Sequence, residues 1–191
     1  MKLLTHISAG LFSGALVFYF FDLNFGFILL AGFAAFIPDI DHPSHLIGKP
    51  LKLLGGHRYV CHNIWFLLII TGLIFILSKN IVWTLAVFLG ILSHFITDSS
   101  TKMGIHWFWP IGKHSNFAHF KGPLSTGSNI EKVIQIIFFT VTGFLFLIKT
   151  TSIKGFSAEN VVIILVLLYV GYLLMNKFGK EIKKIIRDIG I

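Results

Sequence analysis

His94 and Asp98 stand four residues apart in the stretch Ser93-His94-Phe95-Ile96-Thr97-Asp98, so on a helix an imidazole and a carboxylate share one face. Such a pair can bind one divalent cation or two adjacent ones, or the two groups can simply hydrogen-bond each other. Pro38-Asp39-Ile40-Asp41-His42 sets two carboxylates two residues apart at the end of an apolar run. Negative charge at a helix carboxy terminus opposes the local dipole, so a cation should compensate it: a metal ion, or Arg58 or a lysine. Asp39 is the stronger ligand candidate there, with Asp41 and His42 available to orient ligands from behind. His57-Arg58-Tyr59-Val60-Cys61-His62 adds two imidazoles around an arginine, which either grips a phosphate in bidentate fashion or snorkels to lipid headgroups. His6 lies inside an apolar stretch, where an ionisable group marks a functional site unless one hydrogen bond to a neighbouring helix satisfies it.

These residues are carried by a chain of 191 residues that is 55% hydrophobic and 13% charged, with a mean hydropathy of +0.83. That composition belongs to a membrane protein. Cys61 is the single cysteine, which rules out an intrachain disulfide and a cysteine-rich zinc motif, so any metal must be held by nitrogen and oxygen. The expected fold class is all-α, a polytopic membrane helical bundle of about six spans: Leu3–Phe21, Phe25–Ile37, Val60–Ser78, Ile81–Thr97, Val133–Ile148 and Val161–Met175. The first run resembles a signal peptide after Lys2, but it continues through Phe20 and Phe21 without a cleavage site and reads as a span. The second is short against the roughly 20 residues that cross a bilayer. It either continues into the Pro-Asp-Ile-Asp segment, the favoured reading, or re-enters the bundle.

With six spans, all nine histidines and 13 of 16 basic residues fall on one side, leaving Lys79, Lys149 and Lys154 on the other. The positive-inside rule makes the first side cytoplasmic, with both termini and the site there. His6 begins the first span, Asp39 and Asp41 end the second, His57 and His62 precede and open the third, and His94 and Asp98 end the fourth. Antiparallel helices thereby bring all of them to one face, as bundles build metal sites. The loop histidines His45, His106, His114 and His119 read more readily as solvated groups. Residues 1–175 are expected to form one membrane-embedded domain, its motifs within 1–125. Residues 176–191 carry Ile182, Ile185, Ile186 and Ile189 opposite Lys180, Lys183, Lys184 and Arg187, a basic amphipathic helix for an anionic leaflet. The connection from Asp98 to Lys132 is long and rich in Gly, His and Trp, a candidate lid or substrate-binding element. The net charge of +8 sits at the ends of apolar runs, so a membrane surface rather than nucleic acid is the expected partner.

The ordered set of His6, Pro38-Asp39-Ile40-Asp41-His42, His57-Arg58 with His62, and Ser93-His94 with Asp98 resembles the YdjM-like family. Asp98-Ser99-Ser100-Thr101 and Gly104-Ile105-His106-Trp107-Phe108-Trp109-Pro110 look like its continuation, so the resemblance covers about residues 1–125. Members are described as membrane-bound metal-dependent hydrolases, some labelled LexA-binding. Tyr59-Val60-Cys61-His62-Asn63 departs from the family's glycine and Thr-His-Ser in that place, keeping the histidine but not the hydroxyls. More remotely, the His-x-x-x-Asp pair is similar to that of the all-helical zinc-dependent phospholipase C, which would imply two or three zinc ions and phosphoester hydrolysis.

The expected function is therefore hydrolysis of a phosphoester on a lipid or lipid-linked substrate at the inner-membrane face. His6, Asp39, His57, His62, His94 and Asp98 would hold two divalent ions, zinc before manganese or iron. Arg58 would bind the phosphate, and Asp41 would serve as general base or as a carboxylate behind a ligand. The alternatives are a metal-ion transporter or sensor, which the apolar mid-span residues disfavour, and a membrane protein whose metal only staples helices together.

Overall fold

The structure, a computed structural model, describes residues 1–41, 58–111 and 119–154, with side chains as far as Thr151. It is mainly helical: α1 (Leu3–Phe20), α2 (Gly26–Ala34), a 3-10 turn (Ile37–Asp41), α3 (Ile64–Ser78), α4 (Ile81–Ser99), strands β1 (Ile105–His106) and β2 (His119–Phe120), and α5 (Asn129–Lys154). Helices α1, α4 and the part of α5 from Asn129 to Thr151 are long and apolar enough to cross a membrane, and α3 is a shorter apolar helix. The expected sixth span, 161–175, and the amphipathic tail, 176–191, lie outside the described residues. The chain divides into two compact units, Met1–Phe139 and Thr140–Ile191, the second described only as the remainder of α5.

Two expected spans begin or end elsewhere, for local reasons. Helix α2 has nine residues, about 14 Å of rise, too short to cross a bilayer. Its last residue is Ala34, four before Pro38, whose ring would collide with the Ala34 carbonyl and which offers no N–H to it. The chain continues as the tighter 3-10 turn that carries Asp39 and Asp41. Helix α3 starts at Ile64, not Val60, because Asn63 caps it: Asn63 Oδ1 accepts from Phe66 N at 2.9 Å. The Asn63 amide also donates to the carbonyls of Tyr59 (2.7 Å) and Val60 (2.8 Å), folding 59–63 into a turn that presents His62.

Helix α2 is sandwiched between α1 and α4 by glycines. A Cβ at Gly10 of α1 would lie 2.6 Å from the Ala31 carbonyl oxygen, and one at Gly90 of α4 would lie 2.3 Å from the same atom. Small residues let membrane helices approach closely enough for dispersion to hold them, where no hydrophobic effect acts between helices. Ala34, Leu67, Val87, Ile91, Phe95 and Ile105 then form a continuous apolar core joining α2, α3, α4 and β1. The amino end of α1 is fixed to the first turn of α5 by Glu131, which is buried and accepts from Lys2 N, Gly127 N and Thr5 Oγ1. Beyond α4, the β1–β2 pair is antiparallel, with Ile105 opposite Phe120 and His106 opposite His119.

Candidate metal centre

Three imidazoles and two carboxylates meet at the carboxy end of α4. His94 and Asp98 share a face of that helix, one turn apart, as their spacing requires. His6 comes from the second turn of α1 and stacks on His94, ring centroids 3.7 Å apart and planes 18° from parallel. His62 arrives on the capped turn before α3, with Nε2 3.1 Å from His94 Nε2. Asp39, on the 3-10 turn, places Oδ1 3.7 Å from both His62 Nε2 and His94 Nε2. Asp98 Oδ2 lies 3.7 Å from the same two nitrogens, and Asp98 Oδ1 3.4 Å from His6 Nε2. His6, His62, His94 and Asp98 are fully buried.

The outward hydrogen bonds decide what the inner atoms are. His94 Nδ1 donates to the Ala35 carbonyl at 2.7 Å, since a carbonyl can only accept. Thr97 Oγ1 gives its hydrogen to the His94 carbonyl (2.9 Å), so it accepts from His6 Nδ1, also at 2.9 Å. His62 Nδ1 donates to Asp41 Oδ2 at 3.3 Å. With every Nδ1 proton committed outward, each neutral ring turns its Nε2 lone pair inward, where among the described residues it faces carboxylate oxygens and, for His62 and His94, the other ring's Nε2. Buried acceptors facing acceptors are unfavourable without a cation between them. His6 Nε2 and Asp98 Oδ2 are buried and without a hydrogen-bond partner among the described residues. The residues therefore fit a divalent metal: tetrahedral donors about 2.0–2.1 Å from zinc lie roughly 3.4 Å apart, between the 3.1 and 3.7 Å found here.

Charge balance points the same way. Asp98 Oδ1 accepts from the Met1 ammonium and from Arg58 Nη2 (3.2 Å), while Arg58 Nη1 donates to Thr101 Oγ1 and the Gly104 carbonyl, both at 3.2 Å. Arg58 has the left-handed φ of 73°, which lets its backbone N–H reach Asp41 Oδ2 at 3.2 Å while its side chain turns to Asp98. Burial alone would raise the Asp39 pKa, but the hydrogen bond from His62 and the neighbouring imidazoles hold it down at about 2. Burial would lower that of His62, yet hydrogen bonds to Asp39 and Asp41 and the charges of Asp41 and Asp98 keep it raised. A proton held there answers the same crowding of acceptors that a metal ion would answer by displacing it. Burial and the Asp41 charge push the Cys61 thiol up to about 12, which removes it as a nucleophile or ligand.

Of the expected ligands, His6, Asp39, His62, His94 and Asp98 are brought together. His57, His42, His45 and His114 lie outside the described residues. Asp41 stands behind His62, and Arg58 braces Asp98. His106 and His119 form a separate stack, centroids 3.9 Å apart, which continues onto Tyr59. Sequence reasoning missed Thr97 and the Ala35 carbonyl, which fix the tautomers of His6 and His94. Thr97 could have been suspected as a hydroxyl one turn beyond His94 and beside Asp98, whereas a backbone carbonyl has no sequence signature.

The family model described as YdjM inner membrane protein matches residues 1–179 of the chain. A curated relative, "Uncharacterized protein YvsG" of Bacillus subtilis (strain 168), is 31% identical over 116 residues, which is 56% of this chain and 71% of the relative. No solved structure matches.

Proposed function

This chain belongs to the YdjM inner membrane protein family, and on that premise we propose that it is an integral membrane, metal-dependent hydrolase that cleaves a phosphoester of a lipid or lipid-linked substrate at the cytoplasmic face. The single observation that carries the reading is the convergence of His6, His62 and His94 Nε2 with Asp39 and Asp98 oxygens, all acceptors, in a buried site. Zinc suits this mixed donor set best, with manganese or iron as alternatives. A bound divalent cation would supply a Lewis acid and a water acidified toward neutral pH.

The chain's own groups do the rest. Thr97, Ala35 and Asp41 hold the three rings with Nε2 inward and so fix ligand direction. Arg58 keeps Asp98 in place through Nη2, while its buried Nε–H has no partner among the described residues and is the donor for a phosphoryl oxygen. Asp41 is engaged with His62 and the Arg58 backbone, which favours the role of orienting carboxylate over that of general base. The setting supports a lipid-borne substrate: apolar side chains Leu3, Leu4 and Ile96 are exposed on the helices that carry His6 and Asp98.

A non-catalytic metal staple is favoured by one observation, the number of donors: Asp39 Oδ1 and Asp98 Oδ2 each lie 3.7 Å from both His62 Nε2 and His94 Nε2, and four protein donors are the count of a structural zinc site. Metal analysis of detergent-purified protein with hydrolysis assays on phospholipids, polyprenyl phosphates and soluble esters separates the two. Metal together with hydrolysis, both lost in Asp39→Ala, is the expected result. Metal with no hydrolysis across the panel favours the staple, and protein that carries no metal removes both.

A further inference from the structure

The β1–β2 pair carries a second group of histidines, and its chemistry is the reverse of the metal centre's. From Ser99 to Ile130 the chain has no aspartate or glutamate, but it has Lys102, Lys113, Lys121, His106, His114 and His119. Pairing of the strands sets His106 opposite His119, so both side chains project from one face of the ladder. Their rings stack with centroids 3.9 Å apart, and Tyr59 stacks on His106 at 5.1 Å, 14° from parallel. His119 Nε2 donates to the Met103 carbonyl at 2.8 Å, which fixes that ring. Neither ring nitrogen of His106 has a hydrogen-bond partner among the described residues. Slight burial, and after it the charges of His119 and Lys121, depress the His106 pKa. The charge gathered on this face is positive, and an anion is what would offset it.

The setting identifies the anion. Strand β1 follows closely on the end of α4, and Met103, Phe108, Ile111 and Phe120 are exposed around the pair, as are Lys102 and Lys121. Apolar side chains bordered by lysines suit the level of a bilayer where acyl chains give way to headgroups. The anion met there is the phosphate of a phospholipid. We propose that His106, His119 and Lys121 form a phosphate-binding site for the headgroup of an anionic phospholipid, separate from the metal centre and independent of whether that centre hydrolyses anything. Lys121 supplies a full charge and its ammonium donors, and His106 supplies the N–H of whichever nitrogen carries the hydrogen. His119 Nδ1, left bare because Nε2 holds the hydrogen, takes up a proton as the anion arrives and becomes a charge-assisted donor. A bound phosphate favours protonated imidazole and so reverses the depression at His106. Tyr59 holds His106 by ring contact and is itself met edge-on by Trp109, centroids 6.4 Å apart.

The test titrates the full chain in nonionic detergent with dihexanoyl phosphatidylglycerol, dihexanoyl phosphatidylcholine and inorganic phosphate in turn. Ring signals of isotopically labelled histidine are followed by NMR, with His106→Gln and His119→Gln to assign the two that matter. Phosphatidylglycerol should move both signals saturably and raise the His106 titration midpoint. Lys121→Gln, a change at an exposed side chain, should weaken that binding about tenfold. Phosphatidylcholine, whose choline cancels the phosphate charge, should bind more weakly, as should inorganic phosphate, which brings no acyl chain to Met103 and Phe120. No saturable movement with phosphatidylglycerol overturns the proposal, and so does an equal response to phosphatidylcholine or an unchanged affinity in Lys121→Gln. Inorganic phosphate bound as tightly as phosphatidylglycerol overturns the lipid as the source of the anion. Movement confined to His6, His62 and His94 places the phosphate at the metal centre and likewise overturns the separate site. The wild-type titrations decide the matter even if a variant fails to fold.

Discussion

At the scale of single residues, two side chains act on the centre from a distance and differ in what they should do. Asp41 touches His62 through Nδ1, not through the inward Nε2, so Asp41→Asn should leave the donors in place while loosening the orientation of one of them. Outer partners of this kind are worth about 10–100-fold in metal affinity. Chelator competition should show a weakening of that order for Asp41→Asn with unchanged ion number; unaltered affinity would remove Asp41 from the centre. His106 belongs to the other histidine pair. Slight burial, then the charges of His119 and Lys121, lower its pKa below the ordinary 6.5. A histidine whose folded value is depressed contributes stability that is complete above the unfolded value and lost as pH falls through the folded one. The β1–β2 pair should therefore loosen below about pH 6.5, and His119→Gln should move the His106 titration upward in an NMR pH series. A His106 midpoint at or above that of a free histidine would contradict the assignment.

At the scale of elements, the ligand spacings were legible and the devices that aim them were not. His94 and Asp98 meet because four residues make one helical turn, and Asp39 and Asp41 part company because the 3-10 turn buries Asp41 while leaving Asp39 toward the centre. The first follows from periodicity alone. The second depends on Pro38 ending α2 at Ala34, which hydropathy does not register, so a run expected as a span is a nine-residue helix. What seats that short helix is close backbone approach, and it can be tested with a matched pair. Gly90→Ala would push a methyl to within 2.3 Å of the Ala31 carbonyl oxygen, whereas a Cβ at Gly72 of α3 meets nothing within 4 Å. Gly90→Ala should cost about 1–3 kcal/mol by overpacking. Gly72→Ala should be neutral or gain up to about 1 kcal/mol from helix propensity. Thermal denaturation in detergent with both variants checks this, and equal midpoints would show that α2 is not wedged in this way.

For the whole molecule, the centre and the charge distribution make one joint statement about sidedness. His6 sits near the start of α1 and Asp98 near the end of α4, so if both helices cross the bilayer, the amino end of one and the carboxy end of the other emerge together. The Met1–Asp98 ion pair requires the same. Lys79, between α3 and α4, must then lie on the opposite surface, where it is exposed and ends α3 with a left-handed φ of 51°. On the six-span reading, 13 of 16 basic residues lie on the side of the centre, and the positive-inside rule then predicts the cytoplasmic surface for it. Because Cys61 is the single cysteine and is buried, new cysteines report cleanly once it is replaced by serine. A membrane-impermeant maleimide should label Lys102→Cys, exposed just beyond α4, only in inside-out vesicles, and Lys79→Cys only in right-side-out ones. The reverse pattern would place the centre on the outer surface, and with it the headgroup pool from which a lipid substrate would come. Labelling of both from one side would mean that α4 does not cross at all.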